Sequence, residues 1–257
     1  MRKTRLVVCT GLLSALFTTA ALADDVQVRV TVQNLAPANS VTYSPLSVGF
    51  GNGTYDAFDA GSLAGSAIQN IAEFGNPVDW FPAFMAAEPD ATLGQVVPNP
   101  PGPLTPGQSA STDFTVDPTM NRYFSFGAMV VPSNDYFIGN DSPMAYELFD
   151  GAGQLNLTSI SLYGSDVWDA GTEVDGVFGA AFLVGSSAAD HTPDDELIAH
   201  DYMDLDMFNG LTTAAGYTFD RQFCADDEIY RISFAIVPEP SALALLAVAG
   251  FFALRRR

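Results

Sequence analysis

Apolar and polar side chains alternate along several short segments of this chain. The clearest is Val26-Gln-Val-Arg-Val-Thr-Val-Gln, in which every second residue is a valine. This period of two is typical of a β-strand with one buried face. The core side of that strand is therefore predicted to carry Val26, Val28, Val30 and Val32.

Further strands are predicted where similar runs are bounded by turn residues. They lie at 109–116, 123–131, 155–163, 177–184 and 228–236, and residues 44–50 are predicted to be a short extended piece. In the last of them we expect these side chains to point mostly inward: Ile229, Ile232, Phe234 and Ile236. Short strands at regular intervals, joined by glycine- and proline-rich turns, predict an all-β fold, an antiparallel β-sandwich.

One segment has the spacing of a helix instead. Apolar residues recur every three or four positions from Ser62 to Phe74, and Gly75 follows as a residue that can end a helix. We expect this to be the one substantial helix of the domain. Residues 96–107 contain five prolines and predict an extended surface loop.

The two ends of the chain have a different composition. Three basic residues precede an apolar run at 6–22, and Ala21-Leu-Ala23 is a small-x-small cleavage site. Residues 1–23 are therefore predicted to be a secretory signal peptide, with a retained membrane anchor as the alternative. The domain would then comprise residues 24–237.

The C-terminal end consists of Val237-Pro-Glu-Pro240, a 13-residue apolar run at 242–254 and three arginines. The run is shorter than the about 20 residues of a membrane span. These features resemble the PEP-CTERM sorting signal of Gram-negative bacteria, here residues 238–257. The resemblance implies export, transient membrane contact through the C-terminal helix, and processing by an exosortase at the cell surface. The alternative is a short anchor that is never cut.

Charge narrows the range of partners. Between the two signals remain four arginines, no lysine and 29 of the 30 acidic residues, a net charge of about −25. Nucleic acids bind through lysine and arginine, so they are excluded as partners. Divalent cations are favoured. Cys224 would be alone in the exported chain, and we expect a structural or incidental role for it.

Two acidic motifs lie beside large aromatic residues and glycines. They are Pro132-Ser-Asn-Asp135-Tyr-Phe-Ile-Gly139 and Trp168-Asp169-Ala-Gly171-Thr-Glu173. A carboxylate among apolar side chains is costly to desolvate unless a cation compensates it. Calcium prefers flexible sets of oxygen ligands, and Asp169 and Glu173 are spaced so that a tight loop could fold them onto one ion. The alternative is that these acids only cap turns.

The two motifs, with Tyr43-Ser-Pro-Leu46 and Leu104-Thr-Pro-Gly, resemble a bacterial-type spondin domain over about residues 26–185. The resemblance implies an antiparallel β-sandwich that binds Ca²⁺ at one edge. The ligands it implies are Asp135, Asp169 and Glu173, with glutamate in place of the usual aspartate at 173. Asp166 and Asp175 flank this site and are expected to be solvated or to lie outside the direct ligands.

The resulting hypothesis is a non-enzymatic, calcium-binding module of the cell surface or of an exopolysaccharide matrix. Its partners would be exopolysaccharide or surface proteins. Two alternatives remain, an extracellular enzyme acting on polysaccharide and a purely structural surface component. His191 and His200 lie in an acidic segment and could bind a transition metal, but their spacing of nine fits no recognised ligand pattern.

Overall fold

The computed structural model describes residues 25–238. The predicted signal peptide, and the predicted sorting signal apart from Pro238, lie outside the described residues. The strands are β1 (Val26–Asn34), β2 (Thr42–Tyr43), β3 (Leu46–Gly51), β4 (Thr92–Val96), β5 (Ser109–Val116), β6 (Tyr123–Val131), β7 (Tyr136–Gly139), β8 (Ser159–Tyr163), β9 (Trp168–Asp169), β10 (Ala199–His200) and β11 (Glu228–Val237). The α-helices are α1 (Ser66–Phe74) and α2 (Trp80–Ala87).

The strands form two antiparallel sheets that pack face to face. One has four strands in the order β5-β1-β11-β8, and the other has seven, in the order β10-β9-β7-β6-β3-β4 with β2 beside β6. Aromatic side chains join the sheets across the core, with ring centroids 4.5 Å apart for Tyr43–Tyr230 and 4.8 Å apart for Phe124–Phe234. This confirms the predicted all-β sandwich.

The strongest alternating patterns became strands at the predicted positions. Segments 109–116 and 123–131 match β5 and β6, and β1 and β11 each extend one residue further than predicted. Three of the four valines of β1 are fully buried, and Val26 at its start is half-buried. Ile236, near the end of β11, is 42% exposed, so the prediction that it points into the core was wrong.

The domain has two helices rather than one. The predicted helix begins at Ser66, four residues late, and ends as expected at Gly75, whose φ is +61°. The second, α2, was missed because Trp-Phe-Pro-Ala-Phe-Met-Ala-Ala has almost no polar face to produce helical periodicity. Its Trp80 and Phe84 are buried, and the two helices pack against each other.

Residues 177–184 do not form a strand, so that prediction was also wrong. The segment consists of turns, and Ala181 and Leu183 make only isolated bridges to Ser133 and Thr213. Glycines at 176, 179 and 185 weaken a strand, and Phe182 has a positive φ of +69°. An apolar run without neighbouring strands to pair with stays irregular.

Two strands that the sequence did not predict bring the acidic motifs together. In the seven-stranded sheet β7 pairs with β9, so that Tyr136 faces Asp169 and Phe137 faces Trp168. Helix α1 packs over β6 and β7 beside this region. Within residues 25–238 no helix is both long and apolar enough to cross a membrane.

Candidate metal centre

Asp135 is fully buried immediately before β7. Its Oδ2 accepts hydrogen bonds from the Thr172 amide at 2.6 Å, the Thr172 hydroxyl at 3.0 Å and the Glu173 amide at 2.9 Å. The carboxylate therefore holds the loop after β9 in place. Its other oxygen, Oδ1, is buried without a hydrogen-bond partner. A buried carboxylate oxygen in this state requires a cation, a proton or a water molecule.

The loop after β9 turns sharply at Gly171, as the sequence predicted. Its φ is +64°, a region in which residues with a Cβ are strained. A Cβ there would also lie 2.7 Å from the carbonyl oxygen of Glu196. Asp169 Oδ1 accepts a hydrogen bond from the Gly171 amide at 2.8 Å, so this carboxylate caps the turn. It also interacts electrostatically with Asp135, which immediately precedes the adjacent strand β7.

Glu173 is buried with 7% exposure, and its amide donates a hydrogen bond to Asp135 Oδ2. Its Oε2 accepts a 3.4 Å hydrogen bond from Asn134 Nδ2. Burial raises the pKa of Glu173 to about 6, and the negative charge of Glu73 on α1 contributes to the shift. The helix that covers the sheet thus adds a carboxylate to the surroundings of the predicted ligands.

Asp175, which was expected to be solvated or to lie outside the direct ligands, is half-buried beside this group. Its Oδ2 accepts a 3.2 Å hydrogen bond from the Tyr136 hydroxyl, and its Oδ1 is buried without a partner. Burial, followed by repulsion from Asp135, raises its pKa to about 6. The signal in the sequence was its position two residues after Glu173, which does not by itself distinguish a buried side chain from a solvated one.

The surroundings raise the pKa of each carboxylate of the group above its ordinary value. Burial raises the pKa of Asp135 against the opposing effect of its three hydrogen bonds. Burial, and then the charge of Asp135, raises the pKa of Asp169 to about 7. The arginines of residues 25–238 cannot relieve this repulsion, because each forms an ion pair elsewhere: Arg29–Asp113, Arg122–Glu147, Arg221–Asp206 and Arg231–Glu228.

Asp135, Asp169 and Asp175 interact electrostatically with one another, and Glu173 interacts electrostatically with Asp135 and Glu73. Within residues 25–238, no three His, Cys, Asp or Glu side chains are arranged so that they could hold a metal as they stand. The donors are carboxylates, which suits calcium, and two of them have a free buried oxygen. The chemistry of these donors, though not their present arrangement, fits a hard cation such as calcium.

The remaining candidate residues lie apart from this group or have other contacts. His200 stacks on Trp168 with ring centroids 3.5 Å apart, and its Nδ1 is 3.3 Å from the Val167 carbonyl oxygen. His191 follows a short 3-10 turn and interacts electrostatically with Glu173. Cys224 is exposed and reduced.

The comparison with known proteins bears on the same part of the chain. The family model Spondin_N matches residues 31–198, about two thirds of the sequence, and the match includes both acidic motifs. No curated protein matches the chain.

Proposed function

The chain belongs to the Spondin_N family of extracellular domains, and we propose that it is an exported, calcium-binding adhesion module without enzymatic activity. The observation that carries this proposal is the buried Asp135 carboxylate, which has one oxygen on the loop at 172–173 and one oxygen free. A cation at that free oxygen would neutralise the surrounding acids.

The proposed ligands are Asp135, Asp169 and Glu173, with Asp175 as a fourth. Burial and mutual repulsion raise the pKa values of Asp169 and Asp175. Bound calcium would supply the positive charge that offsets both effects. It would also tie the end of β9 and the loop after it to the start of β7. The expected consequence is a rigid edge of the sandwich that presents its loops to a partner.

Export and surface attachment belong to the same proposal. The predicted signal peptide and PEP-CTERM signal support a route through the Sec pathway and an exosortase to the envelope of a Gram-negative bacterium. The proposed partners are exopolysaccharide and surface proteins. Edman sequencing and mass spectrometry of protein from the producing cell would test this. Uncleaved termini would contradict it.

The calcium site is tested by thermal unfolding in EDTA and then in millimolar CaCl₂. A ligand present at 100 times its dissociation constant raises the free energy of unfolding by about 2.7 kcal/mol. For a domain of this size that raises Tm by roughly 5–11 °C. MgCl₂ and NaCl at matched ionic strength separate specific binding from screening. We expect Asp169→Ala to abolish the calcium shift, and Asp220→Ala, at an exposed acid, to retain it.

Equal shifts with NaCl and CaCl₂, or an unchanged calcium shift in Asp169→Ala, would contradict the proposed site and favour acids that only cap turns. The absence of activity is tested separately by incubating the protein with a panel of polysaccharides and assaying new reducing ends. Turnover that Asp135→Asn abolishes would show a polysaccharide-acting enzyme instead.

A further inference from the structure

Hydroxyl groups dominate the outward face of the four-stranded sheet. The strand registers place one hydroxyl from each strand in a single row across it. That row is Ser111, Thr31, Ser233 and Ser159. The next row toward the other end of the strands is Ser109, Gln33, Arg231 and Ser161. Together with Gln27, Thr115 and the charged residues Arg29, Asp113 and Glu228, these residues define the hydroxyl face.

These side chains are accessible. All of them are exposed or half-buried, while the alternate residues of the same strands are mostly buried in the core. Some hydroxyls already contact each other, as in the 2.8 Å bond between Thr31 Oγ1 and Ser111 Oγ. Each hydroxyl has one donor and two acceptor positions, so bonding capacity remains. Neighbouring strands lie about 4.8 Å apart, so the row presents regularly spaced polar groups.

The hydroxyl face is electrically neutral on an acidic protein. Its charges are two ion pairs, Arg29 with Asp113 at 2.7 Å and Arg231 with Glu228. Residues 25–238 as a whole contain four arginines and 28 acidic residues, a net charge of −24. The acids are therefore concentrated on other surfaces, and this face is one where a partner meets no unpaired charge.

One aromatic side chain lies at the edge of the hydroxyl face. Tyr163 ends β8 opposite Glu228 of β11, and it is 41% exposed. An exposed aromatic ring offers an apolar surface together with a polar tip. The face therefore combines many weak donors and acceptors with one flat ring.

We infer that the hydroxyl face binds a neutral polysaccharide, which names the partner class within the proposed adhesion function and rests on it. A polysaccharide presents repeated hydroxyls that both donate and accept hydrogen bonds, as the serine and threonine hydroxyls here do. An anionic polymer would be repelled by the −24 net charge. A second copy fits poorly, because serine is depleted in protein–protein interfaces and both copies would be acidic.

The test is co-sedimentation of the purified full chain with insoluble cellulose, β-1,3-glucan and starch, with alginate gel as the anionic comparison. We expect binding to at least one neutral polymer and none to alginate. Ser233→Glu puts an unpaired charge at the centre of the face and should weaken binding at least about tenfold. Ser66→Glu adds the same charge at an exposed serine on α1, away from this sheet, and should bind normally.

A second variant removes hydroxyls without adding charge. Thr31→Val combined with Ser233→Ala should also weaken binding while far-UV circular dichroism stays native. The inference is overturned if no neutral polymer binds, or if both glutamate variants weaken binding equally. It is also overturned if Ser233→Glu changes only self-association in light scattering, which would make the face a contact between copies.

Removing calcium tests this inference separately from the proposed calcium site. The hydroxyl face and the carboxylates lie on different sheets, so we expect EDTA and Asp169→Ala to leave polysaccharide binding within about twofold, since sites without shared contacts behave independently. Binding that Asp169→Ala abolishes but Ser233→Glu does not would place the ligand at the carboxylate loops, which overturns the inference while supporting the calcium proposal.

Discussion

Asp135 has a structural role and a proposed calcium-binding role, and a single substitution can separate the two. One carboxylate oxygen accepts three hydrogen bonds from residues 172 and 173 and so holds the loop in place. The other oxygen is buried without a hydrogen-bond partner and is the one proposed to bind calcium. Asparagine retains an oxygen that can accept those bonds and removes the charge. Alanine removes both.

We expect Asp135→Ala to lower the free energy of unfolding by about 3 kcal/mol or more, because it leaves buried amide donors without acceptors. In EDTA, Asp135→Asn should be much less destabilising, and it should lose the calcium response completely. Urea denaturation at pH 7 measures both. Asp113→Ala, which breaks only the exposed pair with Arg29, should cost about 1 kcal/mol or less. Equal losses in the alanine and asparagine variants would contradict the structural role.

The raised pKa values predict an unusual pH dependence without calcium. Asp169, with its pKa raised to about 7, and Asp175, at about 6, hold protons in the folded state that the unfolded chain releases near pH 4. Stability from these groups is therefore fully present below about pH 4 and is lost as pH rises through 6 and 7. For Asp169 alone the loss is at most about 4 kcal/mol, and less where water reaches the half-buried side chain.

Urea denaturation in EDTA between pH 4.5 and 8 measures this fall, and Asp169→Asn should flatten it. Calcium requires the deprotonated carboxylates, so its stabilising effect should grow over the same pH range. A free energy of unfolding that rises from pH 5 to 8 in EDTA, in wild type and Asp169→Asn alike, would contradict these shifts.

At the scale of elements, α2 lies so close to β3 that two glycines are required beneath it. A Cβ at Gly49 would overlap the Phe84 ring, and one at Gly51 would overlap the Glu88 carboxylate. Glu88 is buried at the end of α2 and accepts the amides of Thr54 at 2.7 Å and Tyr55 at 2.6 Å. The helix thus fixes the segment that follows β3.

We expect Gly49→Ala to destabilise the protein by about 1–3 kcal/mol through overpacking against Phe84. Gly102→Ala, in the proline-rich loop, places its Cβ in open space and should change stability by less than about 0.5 kcal/mol. Thermal unfolding of the two variants compares them directly. Equal Tm values would show that α2 can move away from β3 without cost.

The elements that could be predicted from the sequence are those in which the spacing of apolar residues alone shows which face is buried. Alternating valines specify β1 because only one face of that strand is buried. Segment 177–184 is equally apolar, but a strand needs a partner strand, and none is supplied there beyond isolated bridges. The pairing of β7 with β9 depends on the tertiary fold, so the sequence motifs indicated Asp135 and Asp169 but not the half-buried position of Asp175.

At the scale of the molecule, the two ends of the described segment, residues 25–238, and the carboxylates lie at opposite ends of the sandwich. Gln27 pairs with Val237, so both described ends leave the four-stranded sheet at one end. Asp135 follows β6, whose last residues pair with β2 near Tyr43, and Tyr43 packs on Tyr230 at the other end of β11. A protein attached through its C-terminal segment would therefore present the carboxylate loops away from the point of attachment.

The excess of acidic residues predicts that Tm depends on NaCl concentration in addition to any specific dependence on calcium. Since all four arginines of residues 25–238 are already paired, most of the 28 acids are neutralised only by solution ions. Raising NaCl from 10 to 500 mM in EDTA shortens the screening length from about 30 Å to a few Å, which reduces self-repulsion and should raise Tm gradually. Calcium should then add a saturable increase at constant ionic strength, since one site fills while screening does not saturate. If 500 mM NaCl abolished the calcium increment in wild type, that increment would be diffuse screening rather than binding at Asp135 and its neighbours.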